Sequence, residues 1–473
     1  MSDVTVLFVY LVTTYALGPL QFGYHIGELN TPQAVISCEA SGKEIFAGSY
    51  GLLSCIRMNA VQYGTVVSIF PVGGLVGSLI AGRLADTYGR RRVTMVNSIG
   101  FIVGPMIMAT ANHIWTIALG RFLSGFSSGI SMVSVPIYLN EISPITIRGT
   151  VGVMTQLFCV IGILSAQIAG VYLSDIYHWR LILAIGAIIG IVQFLLLWFT
   201  VESPKWLATQ NGKFSDAKLL LVRLRGRSDI ESEMKLWTKD EDEENADATD
   251  AAHGGEEDRS LLTRIQHHET SSAARSLSLK TFLTKTHYRS AIRAVVLTQL
   301  AQQFTGTNAV IFYSTSILAT LLPDLSAWIS VGISVVNLLV TILAANLIDR
   351  TGRRILLLIS LLGMTLSSLL LAVGINNNIK SLSAIAAMAI IGSFGLGLGP
   401  IPFLLISEFF EVEAVGLGQS LGLAVNWTAT FCIGFFFPIM RQNLGGSSFY
   451  IFSSLALLVR PILARHNDTI LIW

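Results

Sequence analysis

GRLADTYGRRR at 82–92 and NLIDRTGRR at 346–354 are two charged signatures set between long apolar runs, and their reading decides the fold. Each copy puts an acid, Asp86 or Asp349, shortly before Gly-Arg-Arg: Gly89-Arg90-Arg91 in the first, Gly352-Arg353-Arg354 in the second. A turn this short between two spanning segments is a hairpin on the positively charged side of a membrane. Its glycine lets two helix ends approach closely, and its Asp and Arg can lock neighbouring helix termini through charge pairs and helix dipoles. One copy alone reads as an ordinary basic loop. Two copies with the same order and the same flanks read as an internal repeat, that is, two related membrane bundles in one chain.

Composition agrees. The 473 residues are 52% hydrophobic and only 13% charged, against roughly 25% charged in ordinary soluble domains. The net charge of +2 says nothing about partners, because the charges are segregated by loop. Four cysteines are too few for a disulfide scaffold and have no metal-ligand spacing. His267-His268 lacks a spaced Cys or carboxylate partner, so no metal or cofactor is expected. No nucleophile–base arrangement or nucleotide loop appears, which argues against an enzyme. The first apolar stretch, from about Val4, reads as a retained span rather than a cleaved signal.

Apolar windows of roughly twenty residues fall near 4–26, 60–82, 93–111, 114–138, 150–172 and 180–200, then near 291–318, 327–348, 355–374, 382–406, 414–438 and from 448 onward. The expected fold is therefore an all-α membrane protein of about 12 spans in two six-helix bundles. Residues 1–200 form the first bundle, 201–290 a cytoplasmic linker, and 291–473 the second bundle. Arg83, Arg90, Arg91, Arg92, Arg148, Arg350, Arg353 and Arg354 share one side with the basic residues of the linker, which puts the N-terminus in the cytoplasm. Span twelve is atypical. FYIFSSLALLV meets Arg460-Pro461 after about eleven apolar residues, about 17 Å of helix against the ~30 Å hydrocarbon core. A shortened last span that crosses poorly is expected, leaving the sequon Asn467-Asp468-Thr469 on the lumenal side.

The linker opens with SPKWLATQNGKFSDAKLLLVRLRG, whose apolar spacing predicts short helices on the membrane face. After Asp240 it is acidic and poor in apolar residues, which favours disorder. Within it, Glu257, Leu261 and Leu262 make an acidic dileucine pattern, like the sorting signals read by vesicle adaptors. Cys38 and Cys55 lie in the loop facing away from the cytoplasm, where a disulfide or two free thiols are both open. Cys159 and Cys432 fall inside spans.

Inside otherwise apolar spans sit Gln156, Gln302, Gln303, Asn308, Asn337 and Asn426. Amides both donate and accept, so such a set suits an uncharged, many-hydroxyl solute, with aromatic faces for its C–H surface. Buried amides also hold helices together, for about 0.6 kcal/mol each. GLGPIPF at 397–403 cannot be an uninterrupted helix, because Pro400 and Pro402 each remove a donor and clash with the preceding turn. Such breaks are tolerated only where protein or a water-filled cavity covers the freed backbone. Arg121, deep in span four, needs a partner.

Several strings together resemble the sugar porters of the major facilitator superfamily, as in fungal hexose transporter-like proteins: QFGYHIGELNTPQ (21–33), GRFLSGFSSG (120–129), NEISPITIRG (140–149), VESPKWL (201–207), QLAQQFTGTNAVIFYS (299–314), GLGPIPFLLISEFF (397–410) and NWTATF (426–431). The resemblance covers nearly the whole chain. It implies transport of a hexose or related polyol by alternating access, as uniporter or proton symporter. It places Gln156, Gln302, Gln303, Asn308 and Asn337 at sugar-facing positions, with Phe403, Asn426 and Trp427 beside them. It also implies a cytoplasmic gate of Asp86, Arg90, Arg91, Glu141, Arg148, Asp349, Arg353, Arg354 and Glu408. Proton-coupled members carry an Asp, and facilitative ones an Asn, where this chain has His25; Glu28, one turn later, could compensate beside Arg121. Departures are Gly395, Phe403 and Thr430 at positions that often hold an acid, a Trp and an Asn, and Val415 where Arg148 has its counterpart. A transporter-like sensor or vacuolar-sorting factor is the alternative, in the plasma membrane or a vacuolar or endosomal membrane.

Overall fold

A computed structural model describes residues 5–39, 51–210, 213–226, 230, 279–410 and 412–470. The first half contains α1 (Val6–Gly27), the short α2 (Gln33–Ile36), α3 (Ala60–Tyr88), α4 (Arg90–Ala109), α5 (Ile114–Ile142), α6 (Arg148–Leu173) and α7 (Trp179–Leu197). Two short helices, α8 (Pro204–Ala208) and α9 (Phe214–Arg225), follow. The second half has α10 (Leu279–Thr284), α11 (Arg289–Phe304), α12 (Thr307–Ala319), α13 (Ser326–Thr351), α14 (Arg353–Asn376), α15 (Lys380–Leu396), α16 (Ile401–Phe409), α17 (Val412–Leu444) and α18 (Ser448–Ile470). Helices are what a lipid-embedded chain must form, since each satisfies its own backbone.

Among the described residues, ten stretches are long and apolar enough to cross a membrane. One of them, Ala414–Arg460, contains α17 and the apolar part of α18, and the interrupted α11–α12 pair supplies the remaining span. The chain is thus a multi-pass membrane protein with the expected two sets of six. The last span is the atypical one. Its helix does not stop at Pro461 but continues to Ile470, 23 residues in all, about 34 Å long. A proline removes one donor and bends a helix without having to end it. Only the apolar part is short.

The repeat is visible in the backbone. Gly89 joins α3 to α4 at φ 89°, and Gly352 joins α13 to α14 at φ 82°, a left-handed geometry at matched positions. The bundles meet where α3 packs on α17, α6 on α13 and α1 on α12. At the end opposite the Gly89 hairpin, Cys38 and Cys55 form a disulfide, closing the alternative left open by the sequence. It anchors a strap at 51–56. Ile56 N–H donates to Ile36 O (2.9 Å), and Trp179 Nε1 donates to Ser54 O (2.8 Å). The Arg180 guanidinium donates to Leu53 O (2.8 Å), Ala109 O (2.8 Å) and Ala111 O (2.7 Å). At this disulfide end Asn30 bridges the bundles: its Nδ2 donates to Ser314 Oγ (2.7 Å) and its Oδ1 accepts from Thr315 N–H (3.2 Å).

Candidate substrate site between the bundles

Two helix breaks shape the centre of the second half. α11 ends at Phe304, and α12 starts after Gly306, whose φ of 92° turns the chain while its missing side chain makes room for the Phe452 ring. α15 ends at Leu396 and α16 begins at Ile401, so the expected interruption at GLGPIPF spans Gly397–Pro400. The carbonyls this frees are captured: Gln302 Nε2 donates to Leu398 O and Gly399 O, both at 2.8 Å.

Around this capture the amides gather. Asn426 Nδ2 donates to Gln302 Oε1 and to Gln299 Oε1 (2.8 Å). Asn308 Nδ2 donates to Gln303 Oε1 and, at 3.4 Å, to Thr430 Oγ, whose own hydroxyl donates to Asn426 O (2.9 Å). Gln302, Gln303, Asn308 and Asn426 are therefore one hydrogen-bonded set, joined by Gln299 and Thr430. Asn337 stands apart, on a cavity of about 10 Å³ lined also by Gln167, Ser314, Ser330 and Ser334, room for about one water. Its Oδ1 is buried without a hydrogen-bond partner. Gln156 is half-buried on α6, with no hydrogen bond among the described residues.

Trp427 crosses from α17 into the first bundle. Its indole lies edge-on to Phe22 (5.6 Å between centroids) and Phe70 (6.2 Å). A methyl on Gly74 would stand 2.7 Å from the ring, so the seat exists because that residue is glycine. Phe403 packs on the same cluster with Leu423.

Behind Phe70 lies a charged group with no exposure to solvent. Arg121 Nη1 donates to Glu28 Oε1 (2.9 Å) and to His25 O (2.5 Å), and His25 Nδ1 is 3.0 Å from Glu28 Oε2. The Arg121 guanidinium sits 4.5 Å from the Phe70 ring centre, and His25 stacks on Phe101 at 5.9 Å. Arg121 thus pairs with Glu28, one turn beyond the position the resemblance pointed to, and His25 touches the same carboxylate from the other side.

At the hairpin end, Arg90 forms a bidentate pair with Glu141 (3.0 and 2.8 Å) and a further contact with the exposed Asp86 (3.1 Å). Arg91 N–H donates to Glu202 (3.0 Å), while its guanidinium donates to Trp198 O (2.9 Å). Burial pushes the Glu202 carboxyl above its ordinary range, against the lowering effect of the Arg91 and Ser203 backbone N–H groups. Arg148 is not in this cluster. It is exposed at the start of α6, and among the described residues no ion pair reaches it. Glu141 is used by Arg90 instead, because α4 and α5 pack directly on each other. In the second half, Arg353 and Arg354 open α14 as expected, while the side chains of Asp349 and Glu408 fall outside what the structure describes. Glu257, Leu261 and Leu262 also lie outside the described residues.

Three participants escaped the sequence reading. Glu202 sits in the quoted VESPKWL, but only the fold brings it under Gly89, where a Cβ would stand 2.5 Å from its Oε2. Gln299 was a signal in plain view, one turn before Gln302. Ser360, which accepts a hydrogen bond from Leu398 N–H at 3.1 Å, had no signal at all among the serines of α14.

Two membrane-embedded six-helix bundles, with interrupted helices and amides at their junction, define a carrier of the major facilitator class. The chain matches the family described as "Sugar (and other) transporter" over residues 11–464, and it belongs to that family. It is 37% identical over 452 residues to a probable metabolite transport protein of Saccharomyces cerevisiae, covering 93% of this chain and 88% of that one. It is 34% identical to human facilitated glucose transporter member 4 of solute carrier family 2, covering 96% and 86%. Its fold matches that of the xylose transporter XylE from E. coli, in a partially occluded inward open conformation, with a TM-score of 0.72 at 19% identity, covering 97% and 99%.

Proposed function

We propose that the protein carries a monosaccharide across its membrane by alternating access, as a uniporter. The observation that carries this reading is the amide set on the two broken helices, Gln299, Gln302, Gln303, Asn308 and Asn426, beside the aromatic faces of Phe403 and Trp427. Such a surface donates and accepts without net charge, which suits a polyhydroxylated ring. Gln156 on α6 and Asn337 on α13, which bond to none of these amides, are further candidate contacts implied by the resemblance. The positive-inside bias puts the Gly89 hairpin in the cytoplasm, so the Asn30 bridge closes the outer end in the state described here.

Uniport follows from the Arg121 group. Glu28 already pairs with the guanidinium, and His25 packs on the same carboxylate, so the closed state holds a balanced ion pair. Uptake of labelled D-glucose, with competition by a panel of hexoses, pentoses and polyols, tests the reading in liposomes holding the purified protein. Saturable flux without alkalinisation of the donor side is expected. Sugar-evoked alkalinisation, abolished in His25→Asn, would make the protein a proton symporter. Absence of flux for the whole panel would favour a transporter-like sorting factor. That second reading has one observation behind it, a 33% identical relative from S. cerevisiae named vacuolar protein sorting-associated protein 73.

A further inference from the structure

The geometry points to Gln302 as a clasp on the break in span ten that a bound sugar must unfasten, so that site occupancy and bending of that helix are coupled through one side-chain amide. The inference rests on the carrier reading above and assigns the site a moving part. The break is held on two sides. On one side it lies against α14: Ser360 Oγ accepts from Leu398 N–H (3.1 Å), and a Cβ on Gly397 would come within 2.5 Å of Leu356 O. The Gly397 and Gly399 N–H groups donate to Phe394 O (3.2 and 2.9 Å), and on the other side Gln302 Nε2 reaches both carbonyls left without helical partners, Leu398 O and Gly399 O.

A primary amide has two N–H donors, and here both are spent on the break. Its Oε1 accepts from Asn426 Nδ2 and keeps a second lone pair, so it is the donor side that is fully committed. Gln302 therefore cannot donate to a sugar hydroxyl without releasing at least one carbonyl of the break. Buried carbonyls are costly to leave unpaired, so release allows the Gly397–Pro400 segment to re-form its bonds in another geometry, with α16 moving against α15. Two glycines in that segment, Gly397 and Gly399, permit the change. Ser360 is a positioning residue: it holds the α14 side in place whether or not Gln302 lets go.

Backbone hydrogen exchange at Gly397, Leu398, Gly399 and Ile401 reads whether the segment opens when the clasp is released, with D-glucose as the probe and the full-length protein in lipid nanodiscs. Slow exchange is expected in the sugar-free wild type, rising about tenfold at D-glucose concentrations that saturate transport. Gln302→Glu and Gln302→Met both remove the two donors at nearly constant volume, so one serves if the other does not fold. Both should show the fast exchange without sugar and no further response to it. Ser360→Ala should raise exchange in the same segment yet keep the D-glucose response. Wild-type protection in both Gln302 variants, or a wild-type segment that transports D-glucose with its exchange unmoved, overturns the inference. If the wild type transports no sugar of the panel, that result counts against the carrier reading, and the clasp is decided by the sugar-free variants.

Discussion

The two halves descend from one pattern yet handle their polar residues in opposite ways. In the first half, α1, α3, α4 and α5 each contain a proline (Pro19, Pro71, Pro105, Pro136) and remain continuous. It buries amides too, such as Gln21 on Gln193, but its distinctive polar groups are charges held by partners: Glu28 with Arg121, Glu141 with Arg90, Glu202 on the Arg91 backbone. In the second half two helices are interrupted, and the polar groups at the breaks are uncharged amides in exchangeable hydrogen bonds. Buried ion pairs are stiff, because breaking one strands a charge at a cost of 3–5 kcal/mol. Amide hydrogen bonds can trade partners for about 1 kcal/mol each. The first half thus reads as the frame and the second as the part that bends.

If that division is right, substitutions in the frame should lower stability more than they alter transport kinetics, and those at the breaks should do the reverse. The largest effect is expected for Arg121→Leu, which leaves the Glu28 carboxylate buried and unpaired. A loss of about 3–5 kcal/mol should appear as a collapse of the melting temperature in detergent, partly recovered by adding Glu28→Gln. A melting temperature near wild type would remove the frame argument at its centre.

Cys38→Ser comes next, at about 2–4 kcal/mol. Thiol titration after denaturation without reductant should count three free cysteines in the variant against two in the wild type, Cys159 and Cys432. Arg90→Ala breaks a partly buried bidentate pair and should cost about 1–3 kcal/mol, again read as stability. If it instead changed transport rate at constant melting temperature, the hairpin would belong with the moving parts. The smallest change in stability is expected at the break in span seven. Gly306→Ala forces a Cβ into left-handed backbone for about 1–2 kcal/mol and towards the Phe452 ring, so transport should slow more than the melting temperature falls.

Much of this was legible in the residues, and the limits have physical causes. The repeat was readable because Gly89 and Gly352 carry a backbone requirement that only glycine meets cheaply, and because the charges beside them cannot enter lipid. The break at GLGPIPF was readable because proline chemistry is local. The break at Thr305–Gly306 was not, since a hydropathy window averages over one polar turn and predicts a single span at 291–318. Which acid takes which base was also hidden. Glu28, rather than His25 alone, answers Arg121, and Glu141 answers Arg90 rather than Arg148. Those pairings depend on how helices far apart in sequence rotate against each other. The amides stand out in the sequence as polar residues in apolar spans, but their mutual bonds, with Gln302 turned onto the α15–α16 break, depend on the course of a backbone that no window describes.

The strap at 51–56 also carries information about time. Its hydrogen bonds to Trp179 and Arg180 join residues 125 and 127 positions apart. At about 5–20 residues per second of synthesis, the strap waits about 6–25 s for its anchors to be made. The cysteine pair, only 17 positions apart, is complete long before. By order of synthesis both cysteines are made first and the strap's anchors later, so a nascent chain halted ahead of Trp179 would present a strap with nothing to fasten it to. The seventh helix is then the quality signal that the first half has finished assembling.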